Sequence, residues 1–172
     1  GKVRQNYHKV QAKKIIIAAG SIERPLVFGN NDKPNVMLAS GARRMLNHYG
    51  TATGKMLAVF TNNDSAYQTA FDYADAGIKV SALVDSRQYP SKALLDGCAL
   101  RGIKVHTQAV VTQAKGWQAV RSIEIADLAA NGQSVSNRRR VVCDVLAHSG
   151  GWTPQVQMAS HGGKPPVYDK KI

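Results

Sequence analysis

The sequence predicts an α/β fold: a mainly parallel sheet with helices on one face and a three-stranded antiparallel meander across the other. Three observations carry this. Lys55 to Phe60 reads as a buried strand, Ser65 to Ala76 has the period of a helix, and Ile78 to Val84 reads as a second strand, which together make a βαβ unit. A helix over Ser91 to Leu100 and a strand over Ile103 to His106 continue the alternation, and that order favours a parallel sheet. The period then changes. Ala109 to Ala114, Ala119 to Ile125 and Arg139 to Asp144 read as strands joined by polar turns, one of them Asn131-Gly132, the pattern of an antiparallel meander.

Taken in order, the chain falls into three blocks, predicted at 1–53, 54–144 and 145–172. The first block contains Lys14 to Gly20, an apolar run rich in β-branched residues and halted by glycine, expected to be a strand buried on both faces. Pro25, Gly29, Asn30, Asn31 and Pro34 break the stretch beyond it, so partners for that strand must come from outside the block. A helix is predicted over Met37 to Tyr49, with Leu38, Ala42, Met45 and Leu46 on one side and Gly50 and Gly54 closing it. The middle block is the self-sufficient one. The third opens with a strand at Val145 to Ala147 and passes into the turn-rich Ser149-Gly-Gly-Trp-Thr-Pro154, and its last residues, from Pro165 to Ile172, read as an unanchored end.

With 172 residues and 44% hydrophobic content, the chain can bury a sizeable core, and the expectation is a globular, cytoplasmic protein. No apolar run has the length of a membrane span, and no charged-then-apolar leader opens the sequence. Cys98 and Cys143 lie far apart with no C-x-x-C pair, and no histidine cluster has metal-ligand spacing; structural thiols and no metal are expected. The formal charge of +12 raises the question of nucleic acid. Its densest runs, such as Arg138 to Arg140, are dispersed and not interleaved with aromatics, which argues against a basic nucleic-acid-binding module. Surface facing acidic neighbours in a larger assembly is the other source of such an excess.

In a dinucleotide-binding βαβ unit, small residues in the turn after the first strand let backbone amides and a helix N-terminus reach the pyrophosphate. Here the turn is Thr61-Asn62-Asn63-Asp64-Ser65-Ala66. Against G-x-G-x-x-A, Thr61 and Asn63 stand at the first two glycine positions and only Ala66 is retained. Asparagine tolerates left-handed backbone, but its side chain fills space a phosphate would need. Asp85, ending the second strand, stands where an acidic residue accepts hydrogen bonds from an adenosine ribose, and Arg87 would suit a 2′-phosphate. The plainer reading is a structural relic in which Asp64 caps the helix. The middle block is therefore Rossmann-like, with a weakened fingerprint.

Two flanking strings sharpen the picture. I-I-I-A-A-G-S-I-E-R-P, ending at Pro25, resembles the A-T-G motif that follows a strand in the flavin domain of two-dinucleotide-fold flavoproteins. Val142-Cys-Asp-Val-Leu-Ala-His-Ser-Gly-Gly-Trp-Thr-Pro154 resembles their second flavin-domain motif. That order implies a Rossmann-like three-layer module inserted in remnants of a second dinucleotide-binding domain, with Ile15 to Ala19 and Val145 to Ala147 both belonging to the interrupted domain. Within the superfamily, E-R-P-L-V-F-G-N-N-D-K-P-N-V-M-L-A-S, V-F-T-N-N-D-S-A-Y and S-G-G-W-T-P are similar to the alpha subunits of heterotetrameric sarcosine oxidases, over nearly the whole chain. The resemblance implies a complex with beta, gamma and delta subunits, in which NAD is held by the alpha subunit and FAD and FMN lie elsewhere. Sarcosine would be demethylated there, giving hydrogen peroxide and passing its one-carbon unit to tetrahydrofolate.

Carried over residue by residue, the resemblance offers Ala19, Gly20, Gly150, Gly151, Trp152 and Thr153 as walls of the NAD site. The glycine loop of that first domain would precede Gly1, so weak or no NAD binding by the isolated chain is expected, and no catalytic residue is assigned. The enzyme rival is an NAD(P)H-dependent flavoprotein oxidoreductase of the disulfide-reductase type that uses the Thr61 to Ala66 turn. The missing C-x-x-C counts against its thiol chemistry. His8, His48, His106, His148 and His161 are scattered and read as structural, and neither Ser65 nor Ser149 lies in G-x-S-x-G. Trp117 is expected to pack.

Overall fold

The computed structural model describes residues 4–161, 163 and 165–167, in two compact units: Glu23–Thr153, and a smaller one drawn from the segments on either side. The larger unit is built on a five-stranded parallel sheet of β2 (Val36–Leu38), β9 (Val145–Ser149), β3 (Met56–Thr61), β4 (Lys79–Asp85) and β5 (Val105–His106), in that spatial order. Helices α1 (Ala39–Tyr49), α2 (Ser65–Asp75) and α3 (Lys92–Leu100) connect β2 to β3, β3 to β4 and β4 to β5. The return from β5 to β9 is the meander β6 (Ala109–Lys115), β7 (Ser122–Leu128) and β8 (Val135–Val142). A further pair, β1 (Ser21–Glu23) and β10 (Trp152–Pro154), makes a two-stranded sheet.

Side-chain alternation along the central strands divides the core between the two faces. Leu57, Val59, Leu83, Val145 and Ala147 point to the helices, where they meet Ala42, Tyr67, Ala70, Tyr73 and Cys98. Ala58, Phe60, Ala82, Val84 and Leu146 point the other way, against Val111, Ile123 and Ile125 of the meander. The predicted three-layer α/β arrangement is what these two clusters make. Buried thiols are structural, as expected: burial pushes Cys98 up to about 11 and Cys143 up to about 12.

Several expectations require correction. The resemblance places Val145 to Ala147 in an interrupted neighbour, yet β9 lies between β2 and β3, hydrogen-bonded to both. Residues 36–49, predicted as part of the first block, likewise contribute β2 and α1 to the same sheet and helix layer. The larger unit therefore extends beyond 54–144 at both ends, because an apolar strand buries both faces wherever neighbours flank it. Among the described residues Lys14 to Gly20 meets no such strand neighbour: it has no regular structure, and Ile15 and Ile16 are 80% and 93% exposed. The helix expected from Met37 begins at Ala39, since Met37 and Leu38 pair with Ala147 and His148. Trp117 does not pack; it is 93% exposed, in the β6–β7 connection beside Gly116. Gly116 has a φ of +157°, and a Cβ there would collide with the Ala119 carbonyl. The unanchored end expected from Pro165 to Ile172 lies largely outside the described residues, which stop at 167.

Candidate functional site

The site sits at the C-terminal ends of β9, β3 and β4, where a parallel α/β sheet presents its loops. The strand register places Ser149, Thr61 and Asp85 side by side in one row. All three are fully buried, so each polar group needs a partner. The Thr61 hydroxyl donates to the Asn63 carbonyl and accepts from the Asn63 amide, both at 3.0 Å, which closes the turn on itself.

Asn63 then fills that turn. Its Nδ2 donates to the Ser149 carbonyl and hydroxyl, each at 3.1 Å, and its Oδ1 accepts from the Ser65 amide at 3.1 Å and the Ser65 hydroxyl at 2.6 Å. The Ser65 amide opens α2, and it is the kind of donor a pyrophosphate would use. The Asn63 carboxamide already occupies it. Trp152 Nε1 donates to Ser65 Oγ at 2.9 Å, fastening the loop after β9 to the same network. Asn62 is exposed.

Asp85 is saturated as well. Its carboxylate accepts from the Tyr67 hydroxyl at 2.8 Å, the Arg87 amide at 2.9 Å and Arg87 Nη2 at 2.8 Å, with Nε at 3.1 Å. Arg87 Nη1 reaches Asp64 at 2.7 Å. Burial raises the Tyr67 phenol, reinforced by its bond to Asp85, and the hydrogen bonds from Arg87 to Asp85 raise the guanidinium further above its ordinary range. A ribose hydroxyl would have to displace one of these charge-assisted bonds. Asp64 therefore does not cap α2 with its side chain, as the plainer sequence reading had it; it stands at the N-cap position and pairs with Arg87. As it stands, the Thr61 to Ala66 turn does not fit a dinucleotide phosphate.

The Ser149 to Pro154 loop is held differently. The Gly150 amide donates to the Arg24 carbonyl at 2.7 Å, and the Arg24 amide to the Gly151 carbonyl at 2.8 Å. A Cβ on Gly150 would lie 3.0 Å from the Pro25 carbonyl, so only glycine allows the two segments to approach this closely. Gly151, at φ +89°, needs glycine for conformation alone. Trp152 is 42% exposed and Thr153 is exposed. Ala19 and Gly20, the other predicted walls, are exposed residues of the smaller unit.

Beside this loop lies a pocket of about 330 Å³, bordered by Ser40, Arg44, His48, Ser65, Thr69 and Trp152, with the buried Glu23 at its base. Glu23 Oε2 accepts from the Ser40 amide at 2.9 Å and the Ser40 hydroxyl at 2.5 Å. It thus caps α1, whose own N-cap residue Leu38 has no side-chain oxygen to offer. Sequence reasoning missed Glu23, since a cap supplied from a distant segment leaves no local signal. His148, predicted to be structural, is: Nδ1 accepts from the Leu26 amide at 3.0 Å, and the ring stacks edge-on with Phe28 at 5.4 Å. Burial lowers its pKa.

Comparison with known proteins adds the relationship. The chain is 38% identical over 161 residues to the sarcosine oxidase subunit alpha of Rhizobium meliloti, and 35% identical over 174 residues to that of Corynebacterium sp. strain P-1. The chain is a relative of the sarcosine oxidase alpha subunits. The matches take in 93% and 100% of the chain but only 15% and 18% of those relatives, so it spans less than a fifth of their length. No family model matches. Among solved structures, an FAD-dependent pyridine nucleotide-disulphide oxidoreductase from Desulfovibrio vulgaris superposes with a TM-score of 0.64 at 16% identity, covering 90% of this chain and 39% of that one. T. acidophilum thioredoxin reductase gives 0.61 at 14% identity, covering 80% and 43%. The alpha-subunit relative therefore shares the fold of dinucleotide-dependent oxidoreductases, in agreement with its three layers.

Proposed function

We propose that the chain is a dinucleotide-fold scaffold of an oxidoreductase complex of the sarcosine oxidase type, contributing the walls of an NAD site and no catalytic group of its own. The parent reaction is the oxidative demethylation of sarcosine to glycine, with hydrogen peroxide and methylene-tetrahydrofolate as the other products. Acting on a CH–NH bond, it would use FAD and FMN carried elsewhere, with beta, gamma and delta subunits as partners. On this reading residues 23–153 are the NAD(P)-type module, and the segments on either side belong to the FAD/NAD-type domain.

The observation that carries the scaffold reading is the Asn63 carboxamide. It satisfies the Ser65 amide and ties it to Ser149, so the turn is complete without a nucleotide. A pyridine-nucleotide enzyme using Thr61 to Ala66 requires that amide, and Asp85, to be available. NAD would supply a redox-active or structural dinucleotide along the Gly150 to Thr153 loop. There Gly150 and Gly151 would let backbone approach the ligand, and the Trp152 ring would give it an apolar face.

The test compares the two sites in the assembled complex that contains this sequence. Gly150→Val should lower the NAD content of the purified complex and its sarcosine-dependent peroxide formation together, while Asp85→Asn should leave NAD content unchanged. Loss of bound NAD in Asp85→Asn, with retention in Gly150→Val, would instead support the turn as the nucleotide site.

A further inference from the structure

The opposite end of the sheet carries a different kind of surface. At the N-terminal ends of β3, β4 and β5, where the last residues of β8 pass by, a hollow of about 370 Å³ opens, and a shallower one of about 190 Å³ continues it across Met56 and Val142. Its rim is cationic: Lys79, Lys104 and Arg140 are exposed, and Arg121 borders the continuation. None of these four forms an ion pair among the described residues, although six other arginines and lysines do. The acids nearby are already engaged. Asp127 pairs with Arg139 at 2.7 Å, and the Asp144 carboxylate accepts from the Lys55 and Met56 amides.

The floor is apolar, formed by Met56, Val141 and Val142, and Val142 is 57% exposed. The local field is visible in His106, in the same hollow. Its Nδ1 lies 3.2 Å from Arg139 Nη2, which can only donate, so the imidazole is neutral on that nitrogen. Burial lowers its pKa first, and Arg139 and Lys104 lower it further.

We propose that this hollow docks an acidic segment of a partner polypeptide that carries an aliphatic side chain between its carboxylates. The carboxylates meet Lys79, Lys104 and Arg140, and the aliphatic group covers Met56 and Val142. Charge complementarity chooses an acidic occupant, in a chain whose formal charge is +12. The floor chooses polypeptide over nucleic acid, because among the described residues no phenyl or indole ring lines the hollow to stack on a base. The face lies at the far end of the strands from Thr61, Asp85 and Ser149, so it does not depend on where a dinucleotide binds.

The test is a titration of the 172-residue chain with a fluorescein-labelled peptide of aspartates and glutamates around a central leucine, read by anisotropy at low and physiological salt. Saturable binding that weakens with salt is expected. Lys104→Glu combined with Arg140→Glu should lower affinity roughly tenfold or more, Lys104→Glu alone roughly threefold, and Lys92→Glu, the same single reversal on α3, less than about twofold. Replacing the central leucine of the peptide by glycine should cost roughly three- to tenfold. The proposal is overturned by absence of saturable binding, by equal losses in the groove and α3 variants, by indifference to the leucine, or by tighter binding of a short oligothymidylate than of the peptide.

Discussion

Ile15 to Ala19 and Leu57 to Phe60 are comparably apolar, and they end differently. The second is the centre of the parallel sheet, with Leu57, Ala58 and Val59 wholly buried. The first has no regular structure and leaves Ile15 and Ile16 to solvent. The difference is hydrogen-bonding neighbours: β3 has β9 on one side and β4 on the other, whereas the isoleucine run has no strand partner among the described residues. Burial of an apolar strand is a property of its sheet, and composition only makes it available.

That contrast can be pressed at several points. The largest effect is expected where β4 ends. Asp85→Ala removes the acceptor for Tyr67 and Arg87 at a fully buried position and should lower unfolding free energy by about 3–5 kcal/mol in urea titration. A loss under about 1 kcal/mol would mean the network is incidental. Next comes Leu57→Ala, whose truncation beneath α2 should cost about 3 kcal/mol, whereas Ile16→Ala should cost less than about 0.5 kcal/mol. Equal losses would abolish the distinction between the two runs. Gly54→Ala should cost about 1–3 kcal/mol, since its Cβ would meet Asp144 Oδ1 at 2.6 Å and crowd Val145 at the junction of β3 and β9.

The smallest of the expected effects is one of pH. His148 is buried on the meander face, and burial depresses its pKa below the ordinary 6.5. The unfolded chain therefore takes up this proton first, so stability is constant above that ordinary value and falls as pH drops below it. His106 acts with the same sign. The urea midpoint should decrease between about pH 7.5 and 5.5, and His148→Gln should flatten part of that slope; a midpoint rising over the same interval would reverse the assignment.

The βαβ unit and the meander were legible because period and turn chemistry are local: the helix Ser65–Asp75 ends one residue before the expected Ala76, and Asn131-Gly132 joins β7 to β8 as expected, although β7 begins at Ser122 rather than Ala119 and β8 at Val135 rather than Arg139. The partner of each strand was not. Val145 to Ala147 reads as a strand in any setting, and nothing within it says that it pairs with Met37 on one side and Val59 on the other. In the candidate site, the bulk of Asn63 was readable as an obstacle to phosphate, but not the direction of its carboxamide toward Ser149. The saturation of Asp85 was hidden for the same reason. Its acidity suggested a ribose partner, while Tyr67, eighteen positions earlier, comes within reach only once α2 packs on the sheet.

The position of β9 bears on how the chain is made. Its neighbours β2 and β3 are synthesised long before it: Met56 waits 88 positions for Asp144, and Asn35 waits 109 for the same residue. At ordinary elongation rates, on the order of 5–20 s pass with the middle of the sheet missing its strand and two apolar edges open. Such distant pairing also slows refolding. Until β9 emerges, β2 and β3 have no common neighbour, and the five-stranded sheet cannot close.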